Sequence, residues 1–170
     1  MIKHIFPQTY AKSVFDIDYQ QLYQKGYHAI IFDIDATLVP HGRDITPEVE
    51  QLFDQLVEIG FSLFLLSNNS DERIRHFTRT RSLPYIPLAD KPNPAAYHKA
   101  VKQLQVKPKE VVVVGDQIFT DILGANRAGL DNIMVQFIPQ ENETKLGKKR
   151  RLEKLILAIH RLFSRQSYSN

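Results

Sequence analysis

A chain of 170 residues, 43% hydrophobic, 10% aromatic and 24% charged, has the length of one compact domain and an ordinary globular composition, which excludes disordered, collagen-like and low-complexity classes. The absence of cysteine excludes disulfides, thiolate metal sites and cysteine nucleophiles, and fits a reducing cytoplasm. The net charge of +3 is uneven: between Lys145 and Arg165 eight lysines and arginines face Glu153 alone, so an acidic body carries a strongly basic end.

No run approaches the ~18 apolar residues of a membrane span. Pro7, Gln8 and Lys12 interrupt the start before a signal-peptide core could form. Asp16 and Asp18 are expected to cap a helix over Tyr19–Lys25. His28–Ile34 reads as a first buried strand. Thr46, Pro47 and Glu48 supply an N-cap, a proline at the first helical position and an early acid. Val49, Leu52, Phe53, Leu56 and Ile59 form the apolar stripe of that helix, and Gly60 ends it. Phe61–Leu66 is a second strand, and Ser70, Asp71 and Glu72 open a helix with Ile74 and Phe77 on its inner face. Tyr85–Leu88 is a short third strand. Asn93 and Pro94 cap a helix carrying Ala96, Tyr97, Ala100, Val101 and Leu104. Val111–Val114 is a fourth strand, Thr120–Ala128 a short helix ended by Gly129, and Ile133–Phe137 a fifth strand. Leu152, Leu155, Ile156, Ile159, Leu162 and Phe163 recur at helical spacing, so about 148–164 is a basic amphipathic helix. Packing on the sheet and binding an anionic surface are both open to it.

Strands alternating with helices predict an α/β fold, a Rossmann-like doubly wound parallel sheet, whose ligands bind beyond the carboxyl ends of the strands. At those ends stand Asp33 and Asp35, then Ser67 with Asn68, then Lys91, then Gly115 and Asp116, followed by Asp121. Two acids at spacing two face one way on a strand, but at a strand end they can divide labour. Such a pair can bind metal, or supply a nucleophile beside a general acid. Four carboxylates in one small region repel one another unless compensated. One oxygen-preferring dication, Mg²⁺ first among them, together with Lys91 resolves the cluster. Ser67, the Asn68 backbone N–H and Lys91 then read as donors to phosphate oxygens.

The set IIFDIDATLV, LFLLSNN, ADKPNP and VVVVGDQIFTD, over roughly residues 28–137, resembles the four motifs of the haloacid dehalogenase superfamily of aspartate-nucleophile phosphatases. The opening FPQTYAKSVFDIDYQQLYQKGYHAIIFDIDATLVPHG is similar to the YqeG-like capless group, related to phosphatidylglycerophosphate phosphatases. The resemblance implies that Asp33 is the nucleophile and Asp35 the general acid/base, with Thr37, Ser67 and Asn68 in the phosphate pocket and Lys91 neutralising charge. It implies a Mg²⁺ site from Asp33, the Asp35 backbone carbonyl and Asp116, with Asp121 a ligand or an outer carboxylate. Ala36 departs from the family pattern, in which relatives usually carry Asn or Gly there. The gaps from Thr37 to Ser67 and from Asn68 to Lys91 hold no cap domain, and an open site suits a large substrate such as a lipid headgroup, a protein or a nucleic-acid end.

The expectation is therefore one domain over 1–170, with a helical lead-in, a core at 28–137 and the basic helix. Its function is Mg²⁺-dependent phosphomonoester hydrolysis, with phosphatidylglycerophosphate as best substrate, in the cytoplasm or at the inner membrane surface. The rivals are a phosphatase for a soluble metabolite or a nucleic-acid end, and a phospho-acceptor or RNA-associated module using the basic tail. His4, His28, His41, His76, His98 and His160 show no paired metal spacing and are expected to be solvated or at the core edge. No GxGxxG follows the first strand, which disfavours a dinucleotide fold.

Overall fold

The computed structural model describes residues 5–140 and Ile156. Six parallel strands, β1 (Thr9–Ala11), β2 (Ala29–Phe32), β3 (Ser62–Leu66), β4 (Tyr85–Ile86), β5 (Val111–Gly115) and β6 (Asp131–Val135), form one sheet in the order β1-β6-β5-β2-β3-β4. The helices are α1 (Tyr19–Gln24), α2 (Pro47–Ile59), α3 (Asp71–Phe77), α4 (Pro94–Leu104) and α5 (Leu123–Arg127). The two-residue period of the strands divides the core. Ile30, Phe32, Leu63, Leu65, Val112 and Val114 pack against α1, α2 and α3, while Ala29, Ile31, Phe64, Leu66, Val111 and Val113 pack against α4 and α5. Covered on both faces, β2 and β5 are apolar throughout.

The helix ends follow local chemistry. Thr46 accepts from the Val49 N–H, Pro47 starts α2, and Gly60 ends it in the left-handed region at φ 114°. Ser70 caps α3, and Asn93 caps α4.

The structure corrects five expectations. Thr9–Ala11 is a sixth strand paired to β6, so the lead-in is not only helical. Reciprocal bonds between Gln8 and Asn132 (3.2 and 2.9 Å) hold it there, a tertiary pairing that leaves no apolar run to read. Asp18 alone caps α1; Asp16 lies in a short 3₁₀ turn and accepts from the Ser13 hydroxyl at 2.6 Å. β4 stops at Ile86. β6 runs from Asp131 to Val135, because Gln136 N–H turns to the Lys12 carbonyl and Ile138 N–H to that of Ala36. The expected helix from Thr120 begins earlier, as a π turn over Ile118–Ile122 that leads into α5.

From β2 the chain winds through β3 and β4 to one side, whereas β5 and β6 lie on the other. The crevice beyond the carboxyl ends of β2 and β5 is the topological switch point, where open α/β sheets bind ligands. Only α2 and β3 intervene between Thr37 and Ser67, and only α3 and β4 between Asn68 and Lys91, so no cap domain is inserted there. Ile156, helical and half-buried, packs on Ile118, Ile122 and Met134. The rest of the expected basic helix lies outside the described residues.

Candidate active site

Beyond β2 the chain bends back on itself. Ala36 adopts φ 66°, its N–H bonds the Val39 carbonyl at 2.7 Å, and Leu38 N–H bonds that of Ile34 at 2.9 Å. Strand alternation ends there, and Asp33 and Asp35 separate into different environments.

Asp33 joins a buried ionic cluster. Lys91 Nζ donates to Asp33 Oδ1 and Asp121 Oδ1, each at 2.6 Å, and to the Leu66 carbonyl at 3.0 Å, which uses all three ammonium protons. Gln117 N–H holds the other Asp121 oxygen at 3.0 Å. The Thr37 hydroxyl lies 3.3 Å from Asp33 Oδ2 and 3.1 Å from Asp116 Oδ1, so it bridges two carboxylates. Burial pushes the Asp33 carboxyl up to about 6, with Lys91 opposing the shift and Asp121 adding to it. For Lys91 burial disfavours the charge, but Asp121 and Asp33 outweigh it and hold the ammonium above its ordinary range. Beneath them lies Tyr97, whose buried hydroxyl meets the Thr120 and Asp121 carbonyls at 3.2 and 3.3 Å; burial, then Asp121, raises its pKa.

Asp35 faces another set of donors. Its Oδ1 accepts from Arg73 Nη2 at 2.9 Å and Gly42 N–H at 3.0 Å. Its Oδ2 accepts from Asn69 Nδ2 at 2.5 Å and lies 3.4 Å from His41 Nδ1. Ser67 Oγ accepts from the Asn69 backbone and side chain, at 3.2 and 2.9 Å. The Asn68 amide exchanges bonds with the Lys91 backbone, fixing the root of that side chain (2.8 and 3.3 Å).

These groups surround an open cavity of about 320 Å³, with Asp33, Asp35, Ser67 and Lys91 inside and His41 and Gln140 at the mouth. Asn68 also borders it, while the Thr37 hydroxyl is turned to the carboxylates behind. Asp33, Asp116 and Asp121 offer carboxylate oxygens all within 4.8 Å of one another. Among the described residues four acids here face two cations, buried Lys91 and half-buried Arg73, and an oxygen-preferring dication fits that donor set. The Asp35 carboxylate is not in the group.

His41, Asn69 and Arg73 were not legible as site residues. They carry no ligand spacing, and what unites them is contact with Asp35 across the loop and α3. His41 is solvated as expected, its side chain 67% exposed, and it also borders the cavity.

A buried carboxylate–lysine cluster at the switch point of a parallel sheet, uncapped, defines a hydrolase of the haloacid dehalogenase type. The chain belongs to the haloacid dehalogenase-like hydrolase family, matching it over residues 41–129, and it is a phosphatase. It is 33% identical over 160 residues to the Bacillus subtilis (strain 168) protein named "Probable phosphatase YqeG", covering 93% of each chain. To the Glyceraldehyde 3-phosphate phosphatase of Methanopyrus kandleri it is 33% identical over 99 residues, 53% of this chain and 42% of that protein. It is 23% identical over 164 residues to Phosphatidylglycerophosphate phosphatase 1, chloroplastic/mitochondrial, of Arabidopsis thaliana, 90% of this chain and 47% of that one. A haloacid dehalogenase-like hydrolase from Streptococcus pneumoniae shares the fold, with a TM-score of 0.54 at 15% identity over 68% of this chain and 89% of that one.

Proposed function

We propose that this phosphatase is a Mg²⁺-dependent phosphomonoesterase that works through an aspartyl-phosphate on Asp33 and acts on phosphatidylglycerophosphate. The observation that carries the chemistry is the buried Asp33–Lys91 contact of 2.6 Å beside an Asp35 held apart by its own donors. A carboxylate oxygen of Asp33 attacks phosphorus, and Lys91 keeps positive charge where phosphoryl oxygens arrive. Asp35 gives a proton to the departing alcohol oxygen, then takes one from the water that cleaves the aspartyl-phosphate. Ser67 Oγ, whose two contacts both use its acceptor side, has its O–H to offer a phosphate oxygen, as does the Asn68 backbone N–H. Thr37 holds Asp33 and Asp116 together. Asp33, Asp116 and Asp121, with the Asp35 backbone carbonyl, would hold Mg²⁺, which supplies further positive charge toward the phosphoryl group.

The substrate reading rests on two supports. The uncapped mouth accommodates a phosphate projecting from a large body, and similarity to the Arabidopsis lipid phosphatase extends over 90% of this chain. Similarity to the Methanopyrus enzyme, which would favour a soluble sugar phosphate, stops at 53%. Lys148, Lys149, Arg150 and Arg151 suit an anionic bilayer, at about 1 kcal/mol per cation near the surface. Among the described residues no helix is long and apolar enough to cross a membrane, so contact would be peripheral, at the inner surface. The same reading takes 1–170 as one phosphatase unit.

The test compares phosphatidylglycerophosphate in phosphatidylglycerol vesicles with glyceraldehyde 3-phosphate and a 3′-phosphorylated oligonucleotide, with Mg²⁺ and with EDTA. Preferred, chelator-sensitive lipid turnover that Asp33→Asn abolishes is the expected result. Full activity in EDTA removes the metal, and a preferred soluble or nucleic-acid substrate removes the lipid.

A further inference from the structure

We infer that Arg73 is a positioning residue for Asp35, fixing one carboxylate oxygen so that the other is presented to the departing alcohol. This rests on the acid/base reading of Asp35. Arg73 lies on α3, outside the cavity lining. Its Nη2 donates to Asp35 Oδ1 at 2.9 Å and to the Arg43 carbonyl at 2.6 Å, tying the acid to the loop that continues from it. Gly42 N–H, from the same loop, holds Oδ1 as well. The neighbours of Oδ2, Asn69 and His41, both line the cavity. Oδ1 is therefore held by groups outside the cavity lining, and Oδ2 lies among residues that line it.

An alternative is that Arg73 is a stabilising ion pair. The rest of its guanidinium argues otherwise. The side chain is only 17% exposed, and its charge lies 5.6 Å from the Phe77 ring centroid. Nε and Nη1 are buried and meet no hydrogen-bond partner among the described residues. A buried guanidinium with unmet donors costs free energy, and an apolar pair in place of both Arg73 and Asp35 would avoid that cost. Stability alone does not favour arginine here, whereas orientation of Asp35 does.

The chemistry fixes what must change on its loss. In the first step a bond forms between an Asp33 oxygen and phosphorus as the P–O bond to the alcohol breaks, and the proton on Asp35 Oδ2 moves to the alcohol oxygen. In the second, water attacks phosphorus, its proton returns to Asp35, and the Asp33–phosphorus bond breaks to release phosphate. An alkyl alcohol needs the first proton transfer far more than a nitrophenol does, because nitrophenolate leaves readily as an anion. kcat/KM, which reports the path through the first irreversible step, separates positioning of Asp35 from general damage.

The experiment compares kcat/KM for glycerol 3-phosphate and p-nitrophenyl phosphate in the full chain, alongside melting temperature, for Arg73→Met, Arg73→Lys and Asp35→Asn. Arg73→Met is expected to lose about 10²-fold on the alkyl ester, the scale of a misplaced catalytic group, and at least tenfold less on the aryl ester; it should also melt earlier, because Asp35 keeps its charge without its partner. Arg73→Lys should restore part of the alkyl rate. Equal losses on both esters, or none, overturn the inference; if Arg73→Met is unfolded at the assay temperature, the same contrast in Arg73→Lys decides. Contrast in Asp35→Asn without it in either Arg73 variant overturns the positioning role alone. Its absence in Asp35→Asn overturns the acid role, and the inference falls with it.

Discussion

Lys91 shows at the scale of one residue how charge organises this site. Its ammonium satisfies Asp33, Asp121 and the Leu66 carbonyl at once. Removing one member of a buried ion cluster leaves uncompensated charge, which typically costs about 3–5 kcal/mol. Lys91→Met is therefore expected to lower stability by that order in a urea titration with EDTA. Loss of a donor of this kind commonly costs about 2.7–4 kcal/mol in the transition state, so turnover should fall well beyond any loss of folded protein. A turnover loss below threefold would make Lys91 purely structural. Ala36 presents a smaller problem of conformation. At φ 66° its methyl group carries a left-handed penalty that glycine avoids, about 1–2 kcal/mol. Glycine also gives the unfolded chain more freedom. Ala36→Gly should then gain about 1 kcal/mol net at most, read from the same titration, and a loss would show that the methyl packs usefully.

Among the elements, the π turn over Ile118–Ile122 does most to build the site. Its wider turn lets Asp121 and Ile122 N–H groups both reach the Gln117 carbonyl, at 3.0 and 3.1 Å, and returns Asp121 against the end of β5. The approach is so close that a Cβ on Gly115 would lie 2.4 Å from that of Asp121. Gly115→Ala must displace the turn, draw Asp121 from Lys91 and cost about 1–3 kcal/mol as an overpacked core. Its melting temperature and turnover should fall together, and a wild-type melt with wild-type turnover would show that the turn moves freely. Most of this site was legible in the sequence: Asp33, Asp35, Ser67 and Asp116 stand close behind hydrophobic runs that read as strands, and Lys91 and Asp121 come a few residues further on. The turn was not, because π and α turns share residue preferences and differ only in which carbonyl each N–H finds.

The whole molecule places a negatively charged cluster at the switch point of an otherwise apolar sheet. Burial raises Asp33 to about 6, so in metal-free protein its contribution to stability is present at acid pH and lost as pH rises through that value. A dication reverses the preference, because it binds the carboxylate form. Mg²⁺ is expected to raise the melting temperature at pH 7.5, by about 2.7 kcal/mol of stabilisation at a hundredfold excess over its Kd. Calorimetry below pH 6 should show the gain shrinking as protons compete with the metal. A melt indifferent to Mg²⁺ at pH 7.5 would remove the metal from the site.

By itself the sequence determined the α/β class, the central strands, the caps of α2, α3 and α4, and the acids, serine and lysine at the strand ends. Those follow from local period, capping chemistry and the cost of placing charge beside buried strands. Only the tertiary structure decided that Thr9–Ala11 joins the sheet through Gln8 and Asn132, and that Thr37 bridges two carboxylates. It also decided that Asp35 is held by Asn69, Arg73 and the His41–Gly42 loop. Each is a contact between segments distant in sequence, formed by polar groups whose partners are set by the folding of the chain and not by the pattern of neighbouring residues.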